Sequence, residues 1–286
     1  MKRAEQQDEY STDAQVARDY YNSSDADTFY STIWGGTDIH VGLYRGVEGL
    51  SDIDDIAAAS VRTVERMAAN LTLDGSVRVL DLGSGYGGAS RHVAKGYGSH
   101  VTCLNLSEVE NDHNRKRNEE EGLGHLIDVL DGTFEDLPFK DKTFDVVWSQ
   151  DAIVHSGDHG RVFAEAARVL APGGKLVFTD LLAADHTPVE TLGPILRRLH
   201  LSSMGTPGYY RKLAAKAGLT ELKFDDLSEQ LPIHYARVLE ETERREAELL
   251  KRISADYLER MKAGLREWVA RGQAGDLVWG IHYYQR

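Results

Sequence analysis

Short apolar runs alternate with segments of helical pattern between residues 77 and 182, and no other feature of the sequence limits the possible folds as strongly. The apolar runs lie at residues 77–82, 100–106, 126–131, 144–151 and 174–182. Apolar strands separated by helices are typical of βαβ units, in which right-handed crossovers join parallel strands. We therefore predict an α/β fold whose ligands bind at the carboxyl ends of the strands.

A glycine-rich loop follows the first apolar run. It reads DLGSGYGG (81–88) and lies between a predicted strand and a predicted helix, which is the setting of nucleotide-binding loops. Its glycines permit a tight turn and the close approach of a ligand to the backbone. The pattern by itself also fits NAD binding. Asp81, at the end of the strand, is instead well placed to accept a hydrogen bond from an ammonium group.

Two further strand ends are expected to contact the same ligand. The second run ends at Asn105 and Leu106, where a ribose-binding side chain is expected, and the third is followed by DGTF (131–134), which suits an adenine ring. Together with the glycine-rich loop, these segments resemble the S-adenosylmethionine-dependent methyltransferases. Asn105 departs from that pattern, because many members have Asp or Glu there, but an amide can still hydrogen-bond ribose hydroxyls.

The resemblance implies a seven-stranded, mostly parallel Rossmann-like methyltransferase sheet, with helical inserts forming a cap and an N-terminal lid. The final DLVWGIHYYQR supplies the antiparallel strand of this fold. We expect one integrated domain, with a tail and lid over residues 1–70, a cofactor-binding core over 71–183, and cap inserts with the last core strands over 184–286. The expected cofactor contacts are Tyr30, Asp81, Gly83, Ser84, Gly85, Asn105, Leu106, Asp131, Gly132, Thr133, Phe134 and Gln150.

The fourth run leads into SQDAIVHS (149–156), which should lie beside the reacting methyl group. Gln150 is expected at the methionine portion of the cofactor and Asp151 at a cationic amine. His155 is expected to accept a proton from an ammonium acceptor, because an unperturbed imidazole titrates near neutrality. The alternative for His155 is a hydrogen-bonded structural histidine.

Over residues 15–284 the sequence resembles the sarcosine/dimethylglycine N-methyltransferases, which form glycine betaine. The resemblance includes YYNSSDADTFYSTIWGGTDIHVGLY near the N-terminus, LNLSEVEN, VWSQDAIVHS, MGTPGYYR and QLPIHYARV. SQDAIVHS is also similar to a segment of phosphoethanolamine methyltransferases, in which an N-terminal tyrosine and this histidine close over the site. That similarity implies Tyr21 or Tyr30 as the partner of His155, and we assign Tyr21 with His155 and Asp151 to catalysis.

The implied reaction is the in-line attack of an amine lone pair on the sulfonium methyl group. Aromatic faces suit the quaternary ammonium product, and an arginine fork suits the carboxylate of the acceptor. The inserts contain several arginines, Arg197 and Arg198 among them, of which we prefer Arg211 and Arg237. The expected substrate contacts are Trp34, Tyr44, His200, Met204, Tyr210, Arg211 and Arg237.

Two other functions fit the same motifs. One is methyl transfer to another small amine or to a thioether amino acid, as in methionine S-methylation, and the other is a non-catalytic cofactor-binding module. The net charge of −13 argues against nucleic-acid and anionic-membrane partners and would suit a salty cytoplasm. One cysteine and the histidine spacing predict neither a disulfide framework nor a metal site. Without a signal sequence or a membrane-length apolar run we expect a soluble cytoplasmic protein, whose oligomeric state stays open.

Overall fold

The computed structural model describes residues 10–35, 37–44, 56–199, 201 and 203–286, which form eleven α-helices and nine strands. The helices are α1 (Thr12–Tyr21), α2 (Ser24–Ile33), α3 (Ile56–Ala68), α4 (Gly88–Tyr97), α5 (Glu108–Glu120), α6 (His159–Val169), α7 (Gly193–Leu199), α8 (Pro207–Lys216), α9 (Gln230–Arg244), α10 (Glu246–Leu249) and α11 (Ala255–Ala274). The strands are β1 (Arg78–Leu82), β2 (His100–Asn105), β3 (Ile127–Asp131), β4 (Phe144–Gln150), β5 (Leu170–Thr179), β6 (Leu182–Ala183), β7 (Thr220–Asp226), β8 (Leu277–Val278) and β9 (Gly280–Gln285). Single 3-10 turns lie at Ile153–His155 and Val189–Leu192.

Seven of the strands form one sheet in the order β3-β2-β1-β4-β5-β9-β7. The first five of these run parallel to one another, and β9 lies antiparallel between β5 and β7. This confirms the predicted seven-stranded, mostly parallel sheet, including the antiparallel strand at the end of the chain. Because strand order reverses beside β1, the carboxyl ends of β1, β2 and β4 meet at the edge where the cofactor is expected.

The sequence boundary between α6 and β5 differs from the prediction. The pattern of HGRVFAEAARVLAPGG (159–174) predicts a helix that continues to Pro-Gly-Gly, whereas α6 ends at Val169 and β5 begins at Leu170. Leu170 pairs with Phe144 and Lys175 pairs with Val146, so residues 171–174 bulge out between them. The bulge accommodates Pro172, which has no N–H to donate to a ladder.

Alternating side chains of the strands bury two apolar layers, one on each face of the sheet. Leu80, Leu82 and Leu104 pack into one layer, while Val79 and Cys103 pack into the other. Burial on both faces explains why these strands are nearly continuous apolar runs rather than alternating ones. Cys103 is fully buried, as expected of a small apolar side chain.

A third apolar cluster joins the two ends of the chain above the sheet. We call residues 10–35 and 37–44 the N-terminal segment, and helices α7, α9, α10 and α11 the cap. Phe29 and Trp34 from the N-terminal segment share this cluster with Tyr235, Met261 and Trp268 of the cap. The N-terminal segment therefore folds as part of the same molecule that holds the glycine-rich loop.

Candidate active site

A cavity lies at the carboxyl ends of β1, β2 and β4 and encloses about 820 Å³, counted with the open solvent at its mouth. Eleven of the predicted site residues line it, which are Tyr21, Asp81, Gly83, Ser84, Gly85, Asn105, Leu106, Phe134, Gln150, Asp151 and His155. They come from five separate parts of the chain, four of which the parallel sheet brings to one edge, while Tyr21 comes from α1. The structure thus places the cavity where the strand pattern predicts a ligand.

The glycine-rich loop is held against the neighbouring strand by its own backbone. The N–H groups of Gly83 and Ser84 donate to the carbonyl oxygen of Leu104 at 2.8 and 3.3 Å. Gly83 has φ of 71°, and a Cβ atom added to it would overlap the Cβ of Ala152. Both the left-handed backbone and the lack of space therefore require glycine at this position.

Asp81 is buried beneath the loop, only 4% exposed. The hydroxyl group of Ser90 donates to its Oδ2 at 2.6 Å. Burial raises the pKa of Asp81 to about 6, against the lowering effect of the Ser90 hydrogen bond. The carboxylate is therefore costly without a positive partner, which a cofactor ammonium group would supply.

Asn105 does not act alone at the end of β2. Its Nδ2 donates to Oε2 of Glu110 at 2.8 Å, and Glu110 is buried in the first turn of α5. Burial raises the pKa of Glu110 to about 7. Glu110 thus supplies a carboxyl group at the end of β2, where this sequence has Asn105 and many methyltransferases have an acidic residue.

Tyr21 and His155 face each other at the cavity. The Tyr21 hydroxyl oxygen lies 3.1 Å from Nε2 of His155, and the two rings meet edge to face with centroids 5.5 Å apart. Burial and the positive charge of Arg198 lower the pKa of His155 to about 4. The imidazole is therefore neutral at neutral pH.

Asp151 lines the cavity in the left-handed conformation, with φ of 50°. Its Oδ2 accepts a hydrogen bond from the backbone N–H of Val41 at 2.8 Å, and its Oδ1 accepts one from Nε1 of Trp279 at 2.8 Å. Both carboxylate oxygens thus connect the end of β4 to other parts of the chain, one to the N-terminal segment and one to Trp279, the residue that precedes β9. The sequence predicted contact with an amine for Asp151 but not this connecting role.

A methyltransferase-domain family model matches residues 80–178. A sarcosine/dimethylglycine N-methyltransferase from Halorhodospira halochloris is 51% identical over 273 residues, which cover 95% of this chain and 96% of that protein. The chain belongs to the sarcosine/dimethylglycine N-methyltransferase family.

Two further comparisons agree with this family. A glycine/sarcosine/dimethylglycine N-methyltransferase from Actinopolyspora halophila is 57% identical over 274 residues, which cover 96% of this chain but 48% of that protein. The chain therefore spans about half the length of that relative. A crystal structure of a protein assigned as a sarcosine dimethylglycine methyltransferase from Galdieria sulphuraria has a TM-score of 0.87 and 39% identity, covering 93% of this chain and 98% of that one.

The family is one of S-adenosylmethionine-dependent methyltransferases, and the cavity residues fit this cofactor. Two buried polar atoms at the cavity, Oγ of Ser84 and Nε2 of Gln150, have no hydrogen-bond partner among the described residues. Buried polar groups are normally paired, so these atoms indicate a polar ligand. With Asp81, Asn105 and Glu110 they provide donors and acceptors for the amino-acid and ribose parts of S-adenosylmethionine.

Of the third predicted cofactor loop, only Phe134 reaches the cavity. Asp131 instead accepts hydrogen bonds from Asn111 and Arg115 at 2.8 and 2.9 Å, and the N–H of Gly132 donates to the Asn105 carbonyl oxygen at 3.1 Å. The Thr133 hydroxyl oxygen accepts from the N–H of Glu135 at 3.2 Å. These three residues shape the loop and do not line the cavity, and their contact with the cofactor stays a prediction.

Three predicted aromatic residues of the N-terminal segment also lie outside the cavity. The Tyr30 hydroxyl lies 3.1 Å from that of Tyr20, and Nε1 of Trp34 donates to the His40 carbonyl oxygen at 3.2 Å. The Tyr44 hydroxyl lies 3.0 Å from Nδ1 of His234. Tyr30, Trp34 and Tyr44 are all buried in packing contacts because the cap covers them.

The predicted substrate residues of the inserts are placed elsewhere. Arg211 donates to Glu221 at 2.8 Å and Arg237 donates to Glu240 at 2.6 Å, so both make ion pairs on the surface rather than line the cavity. The Tyr210 hydroxyl donates to the buried Asp180 at 2.7 Å. Met204 lines a separate, polar cavity, and His200 lies outside the described residues. Contact of Arg211 and Arg237 with a substrate carboxylate stays a prediction, which these ion pairs do not support.

Several cavity residues were not predicted from the sequence. They are Ala17, Arg18, Asp38, Ile39, His40, Tyr86, Ala89, Ser107, Glu110 and Ala152. For Glu110 a signal was present, because it belongs to a buried polar face of α5 with Asn114 and Asn118 at intervals of four residues. Over the described residues no group of His, Cys, Asp and Glu is placed to hold a metal ion, and no helix is long and apolar enough to cross a membrane.

Proposed function

We propose that this chain methylates sarcosine and dimethylglycine with S-adenosylmethionine and so forms glycine betaine. The observation that carries the proposal is the 51% identity to the Halorhodospira halochloris enzyme along nearly the whole of both chains, including the N-terminal segment and the cap. Glycine is named only for the Actinopolyspora halophila relative, of which the chain spans 48%. The proposal therefore covers the two later acceptors.

When bound, S-adenosylmethionine would supply a sulfonium methyl group to the amine lone pair, and its sulfur would leave as a neutral thioether. The glycine-rich loop and the end of β4 hold the reacting end of the site, since Ser84 and Gln150 aim unpaired polar atoms there. At the end of β2, the side-chain oxygens of Asn105 and Glu110 would accept hydrogen bonds from the ribose hydroxyls. These contacts orient the reactants, and orientation accounts for a large share of the acceleration in such transfers.

Tyr21 and His155 close the acceptor side of the cavity in this proposal. Because the pKa of His155 is lowered to about 4, its imidazole is a weak base and does not retain an amine proton at neutral pH. The ammonium ion instead transfers its proton to solvent water as it enters the cavity, since desolvation disfavours the charged form. We assign His155 and Tyr21 the role of holding the acceptor amine and excluding water.

The wider assignment follows the same division of the chain. We propose residues 1–70 as the N-terminal tail and lid, 71–183 as the cofactor-binding core and 184–286 as the cap with the last core strands. Residues 1–9, 36, 45–55, 200 and 202 of this division lie outside the described residues. The proposed substrate is a small amino-acid amine, and the proposed compartment is the cytoplasm. The acidic chain is not expected to bind nucleic acid or an anionic membrane, because its net negative charge would repel both.

An acceptor panel tests the function. With labelled S-adenosylmethionine, we expect kcat/KM for dimethylglycine and sarcosine to exceed that for methionine, phosphoethanolamine and glycine by about tenfold or more. Mass spectrometry of the product should show glycine betaine. A higher value for methionine would instead support S-methylation, and cofactor binding by calorimetry without turnover on any acceptor would support a non-catalytic module.

A further inference from the structure

Arg198 is an arginine of α7 whose side chain lies against the cap helix α11. A Cβ atom added to Gly264, in the middle of that 20-residue helix, would overlap Cδ of Arg198. Glycine is unfavourable inside a helix, yet here it leaves the space that the arginine occupies. The fold therefore accommodates this particular side chain.

The guanidinium group of Arg198 lacks the partner that such a group normally has. Its Nη2 donates to the Met261 sulfur at 2.9 Å, which is a weak acceptor, and its buried Nε has no hydrogen-bond partner. In the part of the chain that the structure describes, no carboxylate pairs with it, whereas Arg211 and Arg237 each pair with a glutamate. A partly buried guanidinium without an anion is costly, which points to a ligand that supplies one.

Four tyrosine side chains lie near this arginine. Tyr20, Tyr30, Tyr235 and Tyr257 all lie within electrostatic range of its guanidinium. The Tyr20 hydroxyl lies 3.1 Å from that of Tyr30 and 3.2 Å from that of Tyr257, so these hydroxyls form a short chain across the N-terminal segment and the cap. Together they make a tyrosine-lined site with one positive charge.

The tyrosine-lined site adjoins the reaction centre. Tyr21 and His155 line the cofactor cavity while Arg198 does not, and the charge of Arg198 acts on both of them. The Tyr21 and His155 pair therefore lines the cofactor cavity and lies near the guanidinium as well. A small molecule with an anion and an amine a few atoms apart can reach Arg198 and this pair together.

We propose that Arg198 binds the carboxylate of the amino-acid acceptor, and that its guanidinium, set among Tyr20, Tyr30, Tyr235 and Tyr257, makes the enzyme select amines that carry an α-carboxylate. A guanidinium fork matches a carboxylate in a bidentate geometry that lysine does not reproduce. Tyrosine faces nearby suit the quaternary ammonium group of the methylated product. The inference rests on the proposed function, because dimethylglycine is the acceptor whose carboxylate it places.

The test compares acceptors that differ only in the carboxylate. Dimethylglycine, N,N-dimethylglycinamide and N,N-dimethylaminoethanol are assayed with the full-length wild type, Arg198→Met and Arg198→Lys. In Arg198→Met we expect KM for dimethylglycine to rise by about 30-fold or more, since a buried charged pair loses one partner. The ratio of kcat/KM between dimethylglycine and the amide should fall toward one, with S-adenosylmethionine affinity unchanged. Arg198→Lys should recover part of the ratio.

Two further variants distinguish a loss of carboxylate binding from a loss of folding. Gly264→Ala should displace the Arg198 side chain without removing its charge and should also raise KM for dimethylglycine. Arg197→Met removes the neighbouring exposed arginine of the same helix and should change neither KM nor the ratio. Thermal unfolding of each variant shows whether it is folded, and Gly264→Ala carries the test if Arg198→Met is not.

The outcomes separate the two proposals. Wild-type turnover of dimethylglycine with an undiminished acceptor ratio in Arg198→Met and Gly264→Ala overturns the role of Arg198 and leaves the function standing. A wild type that does not methylate dimethylglycine but methylates another acceptor overturns the proposed function, and the assignment of Arg198 to this carboxylate falls with it.

Discussion

The hydroxyl of Tyr21 and the imidazole of His155 form a pair whose partners are 134 residues apart in the chain. If they hold the acceptor amine together, removing either side should lower kcat, and removing both should do little further harm. We expect Tyr21→Phe and His155→Ala each to lower kcat by roughly 10- to 100-fold, in line with a buried hydrogen bond of about 1–3 kcal/mol. The double variant should resemble the worse single variant, because residues in contact are not additive.

Tyr97→Phe is the matched control for this cycle, since Tyr97 is 37% exposed and outside the cavity. Affinity for S-adenosylmethionine, measured by calorimetry, should be kept in every variant.

The pH profile of kcat provides a second measurement. With a pKa lowered to about 4, His155 stays neutral until the pH falls through that value, so kcat should show no loss near pH 6.5 from this residue. Fully additive effects, or a loss of kcat near pH 6.5 that His155→Ala abolishes, would contradict the assignment.

Residues were predictable from the sequence where a strand end fixes their position. Gly83 follows β1 directly, Gln150 is the last residue of β4, and His155 lies in the 3-10 turn that comes soon after β4, so the strand pattern alone brings them to one edge of the sheet. Glu110 and Arg198 lie on helices whose orientation depends on packing between distant segments. The sequence does not show which residues of distant helices come into contact. It therefore contained no signal that favoured Arg198 over Arg211 and Arg237.

The turn between β1 and α4 is the element on which cofactor binding most depends. Gly83→Ala should lower S-adenosylmethionine affinity at least tenfold, because its Cβ would displace Ala152 from the cavity wall. The substitution also places alanine at φ of 71°, which costs about 1–2 kcal/mol of stability.

Gly122 offers a matched control for the strain alone. It also has φ of 71°, but a Cβ atom there has no neighbour within 4 Å. Gly122→Ala should lose about the same free energy of unfolding and keep full cofactor affinity. Calorimetric titration and urea unfolding of the two variants measure both quantities. Equal cofactor affinity in the two alanine variants would place the binding site elsewhere.

The order and direction of the strands were easier to predict than the ends of individual elements and the packing of the cap on the N-terminal segment. Apolar strands between helices define βαβ units whatever their side chains contact, so the five parallel strands and β9 were correctly predicted. The end of α6 was not, because pairing of Leu170 with Phe144 extends β5 across Pro172. The burial of Trp34 and Tyr44 by the cap likewise depends on tertiary packing, which overrides local pattern.

At the scale of the whole molecule, the N-terminal segment and the cap share one apolar cluster, although they lie at opposite ends of the chain. Asp151 joins the N-terminal segment and the start of the last strand to the end of β4 through Val41 and Trp279. The lining of the cavity therefore includes residues outside the methyltransferase domain match at residues 80–178, such as Tyr21 and Asp38. This agrees with a family resemblance that extends well beyond that core.

The net charge of −13 makes the whole molecule sensitive to salt in a direction that can be measured. Self-repulsion destabilises a compact acidic protein, and salt screens it, since the Debye length falls from about 10 Å at 0.1 M to about 3 Å at 1 M. We expect the Tm in NaCl to rise between these concentrations by roughly 2–4 °C, which corresponds to about 1 kcal/mol for a chain of this size. Activity on dimethylglycine should persist at 1 M.

A charge-reduced variant separates screening from other effects of salt. Glu65, Asp128 and Glu190 are exposed, and none of them forms an ion pair with another described residue. Converting them to Gln, Asn and Gln brings the net charge to −13 + 3 = −10. Because self-repulsion grows with the square of the net charge, the rise in Tm should shrink to roughly 60% of the wild-type value. An equal rise in both proteins would mean that salt acts through apolar burial instead, and a fall in Tm would show that attractive ion pairs outweigh the net repulsion.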